Sequence, residues 1–212
     1  MREILKRVWK SPSGRLGMIA ALIVILSGIA APLIASHMPN QIDVAARLTP
    51  PSASHWFGTD QLGRDLFSRS LYGTRVAVSV ALAVTATALV LGVLLGVTAA
   101  YAPPAVERTI LACFDIVSSF PSLILALALV AVLGPGLFNI ILLVTVVFIP
   151  QFGRVARAQA LTVKERPFLE AERALGASGP RIMLAHVLPN IIGPIVVLAS
   201  MNVPVVITLE AG

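Results

Sequence analysis

Charge is what this chain has least of. Asp, Glu, Lys and Arg make up 12% of its 212 residues, about half the share carried by an ordinary soluble domain. That deficit excludes a fully water-facing surface, so lipid is the solvent for much of the chain. Cysteine is just as scarce. Cys113 stands alone in an apolar run, which excludes an intrachain disulfide and leaves packing as its simplest role. The three histidines, His37, His55 and His186, lie far apart in sequence with unlike flanks, so no metal site is expected. A Gly-x-x-x-x-Gly-Lys-Ser/Thr phosphate loop is also missing, which removes the usual way of holding ATP. No catalytic or cofactor-binding constellation is expected.

What the chain does have is apolar length, with 57% hydrophobic residues. Five segments are expected to be long enough to cross a hydrocarbon core that needs about 20 apolar residues: Leu16 to Ala35, Val76 to Ala102, Ile110 to Leu133, Leu137 to Phe152 and Ile191 to Leu209. The fourth is short, and the fifth carries Pro194, Asn202 and Pro204. Such breaks are tolerated where neighbouring helices satisfy the freed backbone groups, so both are expected to face protein. The first run is too long for the 7 to 15 residues, roughly, of a signal-peptide core, and no convincing cleavage site follows it. An uncleaved first span is expected.

Lys and Arg accumulate on the cytoplasmic side of short loops. Arg2, Lys6, Arg7, Lys10 and Arg15 precede the first span, and Arg154, Arg157, Lys164, Arg166, Arg173 and Arg181 lie between the fourth and fifth. With alternating spans both regions fall on one face, the cytoplasmic one. The expected division is a cytoplasmic tail (1–15), a first transmembrane helix (16–35), an exterior loop with an interfacial helix (36–75) and a membrane core (76–212) with a cytoplasmic loop at 153–190. The Glu107-Arg108 turn then lies inside and the Gly134-Pro135-Gly136 turn outside. A pI near 10.4 is accounted for by this topology, and no nucleic-acid partner is expected.

Two polar segments stand out. In the first, Pro167 suits the opening turn of a short helix and Gly176 suits a left-handed close. Phe168, Ala171, Ala174 and Leu175 recur along one side, and Glu165, Glu170, Glu172 and Arg173 keep the remainder wet. Ser178 is an N-cap candidate for a second helix that Pro189 interrupts. In the other segment, His55 to Arg69, a helix is expected to start near Asp60. Leu62, Leu66, Phe67 and Leu71 would share its apolar face, with Arg64, Asp65 and Ser68 turned away.

The first segment resembles the EAA loop of permease subunits in bacterial ABC importers: Glu-Ala-Ala, three residues, Gly, nine residues, Ile, any residue, Leu-Pro. Glu170, Ala171, Gly176, Leu188 and Pro189 are in register, while Glu172 replaces the second Ala and His186 replaces the Ile. The His-x-Leu-Pro-Asn form is similar to the peptide and nickel importers. The second segment resembles the Gly-Thr-Asp-x-x-Gly-Arg-Asp signature of the dipeptide, oligopeptide and nickel subfamily, carried here by Gly58, Thr59, Asp60, Gly63, Arg64 and Asp65. Asp115 with Phe120-Pro121 is similar to a further pattern of that subfamily.

The resemblance covers nearly the whole chain. It implies an all-α integral membrane protein with the transmembrane fold of type I ABC importers, in the bacterial plasma membrane. It also implies a pathway shared with a second permease subunit, two cytoplasmic ATPases, a substrate-binding protein outside, and peptides as substrate. A docking role for Phe168, Glu170, Ala171, Ala174, Leu175, Gly176, Leu188 and Pro189 comes with it. The signature segment would either meet the binding protein or brace the permease. Family members continue beyond Glu210-Ala211-Gly212 into a sixth span, so the expectation is five spans of six and a shortened chain. Alternatives are a permease for nickel or another small solute, or a membrane scaffold that keeps the docking loop. A secondary transporter is disfavoured by the scarcity of ionisable residues within the spans. Asp115 is expected to cap a helix or meet another subunit, since a single carboxylate makes no proton relay. The Gly92 and Gly96 spacing permits close helix approach.

Overall fold

In the computed structural model, Trp9 and residues 11–134 and 136–211 are described. Arg2, Lys6, Arg7 and Lys10 of the basic tail, Pro135 and Gly212 lie outside them. The described residues contain helices and no strand; Thr59 and Asp65 form an isolated antiparallel bridge. Two units, up to Ser79 and from Val80 onward, are each internally compact.

In the first unit, α1 runs from Pro12 to Ile34. It starts before the expected Leu16 because Ser11 and Pro12 form a start signal: Ser11 Oγ accepts the Gly14 N–H at 3.1 Å, and proline occupies the first turn. Only 11% of its apolar window is buried, so this helix presents nearly all its sides to surroundings other than its own chain. Its contact with the beginning of α2 is at Gly28, where a Cβ would come within 3.1 Å of Arg75 Cα. A 3-10 turn at Val44–Ala46 follows, opened by Asp43, whose Oδ1 accepts the Ala45 N–H at 3.0 Å.

The expected interfacial helix beginning near Asp60 is not a separate element. Residues 60–63 form a turn, and one helix, α2, runs for 36 residues from Leu66 to Tyr101. Asp65 sets its start by accepting the Ser68 N–H at 2.7 Å. That bond also reverses the expected faces: Asp65 and Ser68 are buried, and Leu62 and Leu66 are exposed. Leu71 does turn inward.

In the second unit, the rest of α2 is joined by α3 (Pro104–Ser118), α4 (Ser122–Leu133), α5 (Leu137–Lys164), α6 (Pro167–Ala174), α7 (Gly179–Ile182), a π-helical stretch (Met183–Val187) and α8 (Leu188–Ala211). The expected third span is thus two helices. Pro121 disfavours helical backbone before it, and the Ser119 N–H and Oγ close α3 on the Asp115 carbonyl at 2.9 and 2.7 Å. Neither half reaches spanning length. Among the described residues, four segments are each long and apolar enough to cross a membrane: Pro12–Ile34, Leu66–Tyr101, Leu137–Lys164 and Gly179–Glu210.

The expected fourth span, ending at Phe152, continues to Lys164, so the first third of the 153–190 loop is helix. α5 packs against α3, α4 and α8. Its buried row Val144, Phe148, Phe152, Ala156 and Ala160 repeats every four residues, as do Val84, Ala88, Gly92, Gly96 and Ala100 of α2; such rows interlock as ridges and grooves. They meet at glycines. A Cβ on Gly92 would lie 2.6 Å from Phe152 Cβ, one on Gly96 would overlap the Gly153 carbonyl, and one on Gly153 would overlap the Phe114 ring. The Gly92 and Gly96 spacing therefore marks a true close approach. Thr87 and Thr145 bridge the same two helices by their hydroxyls at 2.8 Å. Cys113, expected to pack, is exposed on α3.

This seam generates a prediction. Gly96→Ala forces a methyl group into backbone and should destabilise the folded chain by about 1–3 kcal/mol. Gly17→Ala, on α1 with nothing within 4 Å, should be neutral or slightly stabilising. Thermal unfolding in detergent reads both, and equal midpoints for the two variants would reject the close approach.

Candidate functional site: an exposed helical hairpin

Two residues separate α5 from α6, and Arg166 and Leu169 both close back on that turn: the Arg166 N–H donates to Val163 O and the Leu169 N–H to Arg166 O, each at 3.0 Å. Pro167 opens α6 as the sequence predicts. The helix ends in a Schellman arrangement: the Gly176 N–H donates to Arg173 O at 2.9 Å and the Ala177 N–H to Glu172 O at 3.0 Å. Gly176 supplies the left-handed backbone this needs, with φ +83.

Beyond the turn, Ser178 precedes α7 in extended conformation, and its carbonyl, not its side chain, makes the capping bond, accepting the Ile182 N–H at 3.0 Å. Pro189 does not interrupt the second helix. The π-helical stretch before it carries a Leu188 N–H to Met183 O bond, and this wider turn shifts the carbonyl that a proline ring would otherwise strike. The hairpin's second arm therefore runs straight into the last span.

Leu169 is fully buried, as is Val187 on the other arm, and together they anchor the hairpin to its own chain. Helical spacing does not single out Leu169, because it favours Phe168, Ala171, Ala174 and Leu175. Those four side chains are exposed, Leu175 by 84%. Glu170 and Pro189 are exposed too, and Leu188 is half-buried. The two residues that depart from the EAA pattern face each other: His186 Nε2 lies 3.6 Å from Glu172 Oε1, and the Phe168 ring stands edge-on to His186 at 6.2 Å.

At its root the hairpin is held by polar contacts. Arg154 donates to Asp115 Oδ1 at 2.9 Å and to Ser118 Oγ at 3.1 Å, so Asp115 joins α3 to α5. Arg157 Nε donates to Glu107 at 2.9 Å. Lys164 donates to the Ala100 carbonyl at 2.9 Å and sits 5.0 Å from the Tyr101 ring centroid, pinning the end of α5 to the end of α2.

The Gly58 to Asp65 segment lies in the first unit, and each of its six residues is engaged there. Gly58 and Gly63 both have φ +74, and a Cβ on either would strike the carbonyl of Thr49 or Asp43. Thr59 Oγ1 accepts the Thr49 N–H at 2.9 Å. Asp60 accepts the N–H groups of Leu62 and Arg64 at 2.8 and 3.1 Å and pairs with Arg64 Nε at 2.7 Å. Asp65 is held by Ser68 and by His55, whose Nδ1 lies 3.0 Å away. For both aspartates desolvation works against the charged form, but hydrogen bonds outweigh it. Those from Arg64 and Leu62 draw Asp60 below its ordinary value, and those from Ser68 and His55 do the same for Asp65.

Residues 88–212 match the family described as the binding-protein-dependent transport system inner membrane component, and residues 1–51 match the N-terminal transmembrane domain of oligopeptide transport permease C. The chain belongs to this family of binding-protein-dependent permeases. It is a multi-pass inner-membrane protein. It is 41% identical to the probable D,D-dipeptide transport system permease protein of Escherichia coli K12 over 97% of its own length and 70% of the relative's. The dipeptide transport system permease protein of Alkalihalophilus pseudofirmus is 39% identical over 95% of this chain and 66% of the relative. The oligopeptide transport system permease protein of Bacillus subtilis is 31% identical over 99% and 69%. The chain thus spans about two thirds of the length of these permeases, and the resemblance to peptide permeases carried by the two motifs is borne out.

The permease loop should be sensitive to acid. Because the folded pKa values of Asp60 and Asp65 lie below the ordinary 3.8, their stabilisation is present above that pH and is lost as pH falls further, through the folded values. Trp56 fluorescence in a Trp9→Phe background should report the loosening below pH 3.8, with a smaller acid-dependent change in Asp65→Asn. Identical acid profiles would contradict the role given to Asp65.

Proposed function

We propose that this permease forms part of a peptide translocation pathway and couples it to cytoplasmic ATPases through the Phe168 to Pro189 hairpin. One observation carries the reading: a hairpin anchored by Leu169 and Val187 and fixed in shape by Gly176 leaves Phe168, Ala171, Ala174 and Leu175 exposed. An exposed apolar face on a rigid polar loop suits a protein groove better than water. Glu170 and Arg173 flank that face with charges for a polar rim. The peptide assignment rests on the names of the relatives, and the partners are those of the family: two ATPases, a second permease and a substrate-binding protein.

In this reading ATP is hydrolysed on the partner subunits and this chain transmits force. ATPase closure moves the docked hairpin; the two-residue link to α5 and the continuous run from α7 into α8 pass that movement to two spans, which rock between inward-open and outward-open packings. The charge bias of Lys and Arg supports a cytoplasmic N-terminus and hairpin, with residues 36–65 outside, a topology in which α3 and α4 together make one crossing between α2 and α5.

Two measurements test this. In a Cys113→Ser background, cysteines at Ser11 and Ser178 should react with impermeant thiol reagents only after the membrane is opened, and one at Ser54 should react in intact cells; labelling of the Ser178 position from outside would overturn the topology. Co-expression with the cognate ATPase and second permease tests the docking. Gly176→Val strains a left-handed position by about 1–3 kcal/mol and Leu175→Asp puts a charge on the docking face. Both should reduce ATPase co-purification and substrate-stimulated hydrolysis while membrane insertion persists. Wild-type recovery of the ATPase with both variants would reject the docking role.

A further inference from the structure

His37 and His55 are 18 positions apart in the chain, yet the first unit brings them together. Their rings stack with centroids 4.7 Å apart and planes 27° from parallel. Asp65 completes the group, and ligand atoms of all three lie within 4.8 Å of one another. Distance along the sequence, from which no metal site is expected, does not reveal that the fold sets His37 beside His55.

We propose that His37, His55 and Asp65 bind a divalent first-row cation of the Zn2+ class. Two imidazoles and a carboxylate are a donor set this ion favours, with a fourth position open to water. Bonds of about 2.0 Å in a tetrahedral arrangement place ligand atoms roughly 3.3 Å apart, so small side-chain rotations from the present spacing suffice. The carboxylate is already directed: Asp65 is almost wholly buried, Ser68 N–H holds its Oδ2 at 2.7 Å, and its Oδ1 faces His55. His37 is oriented by Ser36 Oγ, 3.0 Å from its Nδ1, which leaves Nε2 for the cation, and its backbone N–H donates to Ser68 Oγ at 3.2 Å. Such supporting bonds fix a ligand's direction and basicity.

Coordination uses in-plane ring nitrogens and leaves the faces of the two imidazoles free to stack as they do here. Its effect is to clasp the segment after α1, the middle of the loop and the start of α2. This clasp is independent of the ATPase-docking reading, which concerns the other unit.

The test uses the full chain in detergent, purified with a tag free of histidine and stripped with chelator. Zn2+ should bind with one ion per chain in chelator competition, and His37→Gln and His55→Gln should each weaken binding by at least about tenfold. Wild type should also be thermally stabilised by Zn2+, and the variants should not. Co2+ supplies a readout that needs no variant: ligand-field bands of a four-coordinate nitrogen and oxygen site support the proposal, and the spectrum of the aqua ion alone overturns it. Equal Zn2+ affinity in wild type and the double variant would overturn it as well.

Discussion

Close backbone contact between α2 and α5 is the constraint on which the permease core depends. In lipid there is no hydrophobic force to push two apolar helices together, so van der Waals contact and hydrogen bonds must hold them. Gly92, Gly96 and Gly153 remove the side chains that would keep the axes apart, and the Thr87–Thr145 bridge adds a polar contact inside the seam. Phe114 fills the hollow over Gly153, which brings α3 to the same place. Three helices are therefore registered by one glycine.

From this seam the order extends toward the hairpin. Arg154, Arg157 and Lys164 leave α5 at intervals that let each reach a different partner, on α3 or at the end of α2. Pairs of this kind on an exposed surface contribute little individually, about 0–1 kcal/mol, so their value lies in direction. They fix the last turns of α5, and two residues later α6 begins. A movement imposed on α6 therefore has only a short path to the packed core. The Glu172–His186 contact closes the hairpin across its open side, and its partners are the two positions where the EAA pattern is broken, which makes them read as a matched pair.

Much of this was legible in the sequence, for identifiable reasons. Pro167 and Gly176 bound α6 because their backbone preferences are local. The glycine spacing signalled a seam, but not its partner, since Gly153 gives no sign of which helix it will meet. The split between α3 and α4 is signalled by Pro121, but the apolar composition on either side reads as one continuous span. Burial near the hairpin was misread because a short helix with apolar residues on several sides does not reveal which one its own chain will take. Leu169 became the anchor and left Phe168 and Leu175 outside. His37 and His55 were separated by a loop whose path depends on two left-handed glycines and the Asp60 and Asp65 hydrogen bonds, which spacing alone does not encode.

The exposed side of α6 is proposed as the docking face. It is tested most directly by placing a photoreactive amino acid at Leu175 in the assembled transporter, with a matched probe at the exposed Val132 of α4. A covalent adduct is expected between position 175 and the ATPase subunit, and none from position 132. Illumination of an intact, ATPase-containing complex that yields no ATPase adduct from position 175 would contradict it.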